Sequence, residues 1–150
     1  MALEFRLIDV TDDGGGIVEA EWLTRAEAVH RQLRTSLPTD YAGRLAQVFA
    51  NGARMSVAAE GGAVRGVAVW RLIENTYEGR RLYVDDLVTD QAQRSQGVGR
   101  ALLGHLERRA RQQACDVLAL DSGTQRVDAH RFYFREGMVI RGFCFGKKLK

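Results

Sequence analysis

A chain of 150 residues, 45% apolar and 27% charged, is long enough to bury a core of its own and reads as one soluble domain, 1–150. Its formal net charge of +3 is too slight to argue for a nucleic-acid binder and leaves room for an anionic ligand. No run approaches the ~20 apolar residues of a membrane span. The start MALEFRLIDVTDD, with Glu4 and Asp9, lacks the basic and apolar blocks of a secretion leader, so a cytoplasmic protein without membrane contact is expected.

The segment EFRLIDV (4–10) alternates apolar and polar residues and predicts a first strand, followed by the loop DDGGG. Thr24, with Glu27 three residues on, has the form of a capping box opening a helix that ends before Pro38. A second, short helix over 41–52 is stopped by Asn51-Gly52. RMSVAAE and VRGVAVWRLI flank Gly61-Gly62 as the arms of a hairpin, and RRLYVDDLVTD (80–90) adds a strand antiparallel to the last. Val98, Leu102, Leu106 and Ala110 then recur at helical spacing. VLALD is a strand, RVDAHRFYFRE (126–136) a helix closed by Gly137, and MVIRGFCFGKKL supplies one or two final strands. This order predicts an α/β (α+β) fold on a mixed sheet. Cys115 and Cys144 stand apart, with no CxxC and no nearby His pair, so buried thiols and no metal site are expected. His30 and His105 carry no signal, and His130 reads as a surface or structural residue.

The stretch RSQGVG (94–99) raises the question of chemistry. A P-loop pattern is absent, since no Lys lies near it. The dinucleotide fingerprint fails because its third glycine position is Leu102 and a polar stretch separates the glycines from the preceding strand. What remains is R-x-x-G-x-G opening an amphipathic helix, whose first amides point outward at the positive end of the dipole. Gly97 and Gly99 would admit a phosphate there, with Arg94 and Arg100 adding charge; the alternative is a plain turn and helix start.

DDLVTDQAQRSQGVGRALL, followed after one more strand by AHRFYFREGM, closely resembles the GNAT superfamily of N-acetyltransferases over residues 82–138. The first eighty residues match in layout only. The resemblance implies a mixed, mostly antiparallel central sheet of six to seven strands flanked by about four helices. It implies acetyl-CoA (coenzyme A) as cosubstrate, its diphosphate held by Arg94, Ser95, Gln96, Gly97, Val98, Gly99 and Arg100. It also implies that the backbone of Leu87, Val88 and Thr89 pairs with the pantetheine arm like an added strand, where a main-chain donor to a developing oxyanion can be worth ~2.7–4 kcal/mol.

Acetyl transfer to an amine requires that the amine lose a proton. An alkyl ammonium of pKa ~10.4 is neutral in about one molecule in 2,500 at pH 7, a deficit of roughly 4.6 kcal/mol. A positioned carboxylate lowers that obstacle. Asp85 and Asp86, consecutive on a strand, are expected to point to opposite faces. By resemblance Asp85 aligns with the general base, usually acting through water, while Asp86 and Glu74 are candidates for gripping the acceptor; the bland alternative is edge-strand charge. Tyr133, protonated at pH 7, can donate to the departing thiolate. Arg126, Ala129 and Tyr133 share a helix face. Arg126 stands where family members frequently carry an Asn serving the cofactor arm; a guanidinium cannot accept a hydrogen bond, so it is read as a contact to phosphate or to the acceptor.

No nucleophile argues for a covalent acetyl-enzyme, so direct attack in a ternary complex is expected. A CoA- or acyl-CoA-binding sensor without turnover is the competing reading, and it needs neither Tyr133 nor an acid on the strand. A nucleic-acid module, suggested by Arg100, Arg108, Arg109 and Arg111, lacks the aromatic stacking residues it would need. The expected acceptor is a small-molecule or peptide amine. Glu74, Glu78, Asp85 and Asp86 favour a cation such as a polyamine, an amino sugar, a lysine or a protein N-terminus, without selecting among them. Homodimers are common in such folds, though the sequence does not show one.

Overall fold

The computed structural model describes residues 4–150, so that part of the reading of the chain's start falls on Met1–Leu3, outside the described residues. The chain forms two compact units, Met1–Ala119 and Leu120–Lys150. In order, the elements are β1 (Arg6–Asp9), α1 (Ala20–Leu33), α2 (Tyr41–Ala50), β2 (Ala53–Glu60), β3 (Ala63–Asn75), β4 (Gly79–Thr89), a 3-10 turn (Gln91–Gln93), α3 (Val98–Gln112), β5 (Val117–Leu120) and α4 (Val127–Arg135). The sheet runs β1-β2-β3-β4-β5, with the first three pairings antiparallel.

Five strands among the described residues are fewer than the six to seven expected. The shortfall is MVIRGFCFGKKL, which forms no strand; Val139, Ile140, Phe143, Phe145 and Leu149 are all exposed. β-propensity alone does not make a strand, which exists only where a neighbouring edge takes its hydrogen bonds. Cys144 lies in this exposed stretch and Cys115 is half-buried, so the expectation of two buried thiols is corrected.

Strand alternation sends Met55, Val57, Val67 and Val69 into one cluster with Trp22, Leu23, Ala26 and Val29 of α1 and Tyr41, Leu45 and Phe49 of α2. That packing also corrects the start of α1. Burying Trp22 and Leu23 draws the preceding residues into the helix, which begins at Ala20, and Thr24 lies inside it with its hydroxyl donating to the Ala20 carbonyl at 3.2 Å. A side-chain cap is worth about 1 kcal/mol and burying an apolar side chain about 1.5–3 kcal/mol, so packing wins.

The opposite face of the sheet carries α3, whose Val98, Leu102, Leu106 and Ala110 are all buried as their spacing predicts. Gly66 makes this contact possible. A Cβ there would lie 2.6 Å from Val98 Cγ1 and 2.7 Å from Leu102 Cδ1. Gly66→Ala is therefore expected to cost about 1–3 kcal/mol by overpacking, seen as a lower urea midpoint at unchanged slope. An unchanged midpoint would mean that α3 gives way freely.

Candidate functional site

β3 and β4 pair Val69 with Asp86 and Trp70 with Val84, which leaves Asp85 as the extra residue of a β-bulge. The bulge cancels the alternation expected of neighbouring strand residues. Asp85 and Asp86 do not point to opposite faces; both line one cleft of about 790 Å³ within the first unit. Its other charged walls are His30 from α1, Arg34 just past the end of α1, Arg44 from α2 and Arg71 from β3, and residues 35–38 close one side.

Each carboxylate is held by basic partners. Arg71 donates from Nε and Nη2 to Asp85, with the shortest contact 2.6 Å. Asp86 accepts from His30 Nε2 at 2.7 Å through Oδ2 and from Arg34 at 2.6 Å through Oδ1, while Arg34 also donates to the Asp85 carbonyl exposed by the bulge. Burial works to raise the Asp86 pKa, but the hydrogen bonds from His30 and Arg34 outweigh it, so Asp86 is held below the usual carboxylate value. On its other nitrogen His30 meets Tyr41 Oη at 2.8 Å. An ionised carboxylate only accepts, so in the neutral ring Nε2 carries the proton and Nδ1 accepts from the Tyr41 hydroxyl. Burial pushes the Tyr41 phenol well up, which keeps that donor protonated.

His30 is 2% exposed and was missed from the sequence. The available signal was its place among Ala26, Val29 and Leu33, a polar ring on the apolar stripe of α1. His105 belongs to a second network on the α3 face, where it meets Asp9 Oδ1 at 2.8 Å, and Asp9 also accepts from Ser56.

The loop after β4 is tied down at its base. Asp90 N–H donates to the Arg65 carbonyl, and the Gln32 side chain bonds both Asp90 and the Gln91 amide. Beyond it, Ser95 at φ 65° and Gly97 at φ 87° both adopt the left-handed region, Ser95 as a non-glycine residue under strain. Such backbone reversals turn N–H groups to one side in an anion-binding concavity. Gly97 caps α3 without a side-chain bond, and nothing lies within 4 Å of where its Cβ would be. Arg94, Ser95, Gln96 and Arg100 are exposed around this loop, Gly99 is half-buried, and Val98 is buried as its anchor.

Leu87, Val88 and Thr89 pair with Ala68, Val67 and Gly66 on the β3 side of β4. On the other side β5 begins beside Arg80, where Asp116 N–H donates to the Arg80 carbonyl at 2.7 Å. Four residues of β5 from that point cannot reach Leu87, so among the described residues this stretch of β4 keeps an open edge. Glu74 is not brought to the cleft. It pairs opposite Arg80 near the hairpin turn with its side chain 76% exposed. Trp70 and Tyr77 do not line the cleft either: Trp70 is buried with its indole donating to Ser56, and Tyr77 is exposed.

Tyr133 and Arg126 lie in the second unit, Tyr133 half-buried on α4 and Arg126 at its N-cap. Burial raises the Tyr133 phenol above its ordinary value, against a smaller opposing pull from Arg126. His130 bonds the Gly123 carbonyl at 2.8 Å, a structural contact. Among the described residues no cluster of His, Cys, Asp and Glu is arranged to hold a metal ion, and no helix is long and apolar enough to cross a membrane.

The model of the acetyltransferase (GNAT) family matches residues 18–138. The chain is 40% identical over 72 residues to the uncharacterized N-acetyltransferase YhdJ of Bacillus subtilis, covering 47% of this chain and 51% of that protein. It is 39% identical over 66 residues to the aminoalkylphosphonate N-acetyltransferase of Salmonella typhimurium, covering 44% and 43% respectively. These matches span about half the length of the curated relatives, or less. Among solved structures, an aminoglycoside N-acetyltransferase in complex with CoA superposes with a TM-score of 0.78 at 14% identity, covering 100% of this chain and 99% of that one. An acetyltransferase of Trypanosoma brucei gives 0.75 at 20% identity, covering 97% and 100%. At such identities the likeness is one of fold.

Proposed function

The chain belongs to the acetyltransferase (GNAT) family, and from that premise we propose that it transfers an acetyl group from acetyl-CoA to a primary amine by direct attack in a ternary complex. One observation carries the reading. β4 presents, in consecutive residues, a carboxylate pair turned into a cleft and then an open backbone edge. The edge at Leu87–Thr89 suits an extended, amide-bearing arm, which would lie beside the carboxylates. The left-handed loop at Ser95 and Gly97 and the capless start of α3 suit the diphosphate of coenzyme A, with Arg94 and Arg100 adding charge. When bound, acetyl-CoA supplies an activated thioester carbonyl.

The protein's own residues then divide the remaining work. Asp85 takes the proton from the amine, through water, and is the better placed of the two carboxylates. Asp86 has both oxygens in short contacts, whereas Asp85 Oδ1 has one at 3.2 Å and its side chain is 26% exposed. Asp86 holds the cleft wall and adds negative potential for an incoming ammonium. Tyr133 is assigned as proton donor to the departing thiolate, on the spacing of its motif. The Salmonella relative is named for aminoalkylphosphonates and the CoA-bound neighbour for aminoglycosides, which supports a small-molecule amine as the acceptor. On this reading the protein works in the cytoplasm without nucleic-acid or membrane contact.

Titrating the protein with acetyl-CoA and then following free thiol against a panel of amines tests this directly. Calorimetric heat, and thiol release that needs both substrates, are expected. Gly97→Val, which forces a branched residue into the left-handed region at ~1–2 kcal/mol, should weaken acetyl-CoA binding about tenfold. Binding with no thiol release from any amine would leave the sensor reading instead, and no heat would remove both.

A further inference from the structure

Taking the acetyl-transfer reading as its base, we propose that the acceptor amine carries an anionic group at its far end, and that Arg44 is the residue that selects it. The inference comes from the pairing of charges around the cleft. Six charged or titratable side chains line it: His30, Arg34, Arg44, Arg71, Asp85 and Asp86. Asp86 is shared by His30 and Arg34, and Asp85 is gripped by Arg71. Arg44 is left over. Its side-chain partner is a neutral amide oxygen, Gln47 Oε1 at 3.4 Å, and among the described residues no carboxylate lies within ion-pair distance of it.

Counting guanidiniums and carboxylates alone, three arginines against two aspartates leave the lining one positive charge in excess, and that charge is the unpaired one. The sequence alone suggested the reverse, a cation-seeking pocket built from Glu74, Glu78, Asp85 and Asp86. The structure sends Glu74 to the hairpin end and engages Glu78 beside Arg81, so the two carboxylates that remain are already matched. A polyamine or amino sugar with several ammonium groups would bring cations for which the cleft holds no spare carboxylate. A carboxylate or phosphonate would instead meet a planar guanidinium able to bind two of its oxygens at once.

Among the described residues the fold makes no ion pair with Arg44. Arg44 lies in the first turn of α2, where the helix dipole disfavours a cation, and its side chain is exposed at the cleft rather than folded onto the core. Thr35 and Ser36, which also line the cleft, add hydroxyl donors of the kind an anion uses.

The test uses three probes of matched length in the thiol-release assay: an ω-aminoalkylphosphonate, a neutral alkylamine and an alkyl diamine. The phosphonate should be acetylated with kcat/KM at least about tenfold above the other two. Arg44→Gln should reduce that preference about tenfold, through KM rather than kcat, with Arg44→Lys recovering part of it. Arg108→Gln, on the exposed side of α3, should leave the preference as it was. A diamine preferred by the wild type, or a preference untouched in Arg44→Gln, would overturn the proposal. Calorimetry of the phosphonate alone separates this failure from failure of acetyl transfer. Binding that weakens in Arg44→Gln without any turnover would support the charge assignment and sink the chemistry, whereas turnover of neutral amines without phosphonate binding would do the opposite.

Discussion

Replacing Tyr133 with Phe should lower kcat about a hundredfold while the affinity for acetyl-CoA stays within about twofold. The substitution removes one hydroxyl and keeps the ring, so packing on α4 against Phe132, whose ring centroid is 5.4 Å away, is retained. What disappears is the proton proposed for the thiolate. Burial keeps the Tyr133 phenol above its ordinary value, so it stays protonated around neutral pH, where the rate should show no loss from its ionisation. Thiol release at saturating amine, with calorimetry for the cofactor, separates the two quantities. Equal kcat in both proteins would remove the acid role.

Asp86→Ala is expected to cost the fold about 3 kcal/mol, as read by urea denaturation. Its carboxylate joins α1 to β4 through His30, and His30 in turn joins α1 to α2 through Tyr41. Removing it leaves a buried imidazole N–H without an acceptor, the costly half of the change. Arg34 is half-exposed and can turn to water, which places the cost at the lower end of the range for a broken buried pair. The pH dependence has a definite sign. Asp86 titrates below its unfolded value, so its contribution is fully present above pH ~3.9 and is lost as the pH falls through the lower, folded value. The stability gap between wild type and Asp86→Ala should therefore be constant near neutrality and close in acid. A gap that widened on acidification would contradict the pairing.

The sequence made visible the features that repeat or that glycine marks. The spacing of Val98, Leu102, Leu106 and Ala110 declared α3, and Gly61-Gly62 declared the β2–β3 hairpin. The glycines of RSQGVG marked a turn opening α3, and Ser95 and Gly97 adopt left-handed angles there. Hidden were the features that long-range pairing decides. Nothing in Val84-Asp85-Asp86 marks a bulge, because the extra residue is defined only against Val69 and Trp70 on the other strand. His30 was hidden for the same reason, since its partners lie at positions 41 and 86. The expected start of α1 at Thr24 rested on a local cap that packing of Trp22 and Leu23 overrode, and the expected final strands rested on apolar content with no edge to join.

The hydrogen-bonded frame of the β3–β4 hairpin is complete without Asp85: Val84 and Asp86 could be joined directly and every cross-strand partner would remain in place. The proposed proton acceptor thus occupies a position that the architecture does not require, one step from a neighbour that it does. Reactivity at Asp85 can be retuned without disturbing the strand ladder, at the expense of its Arg71 pair, whereas loss of the carboxylate at Asp86 loosens the union of both leading helices with the sheet. Adaptation of this scaffold to a new acceptor is therefore freest at the looped-out residue.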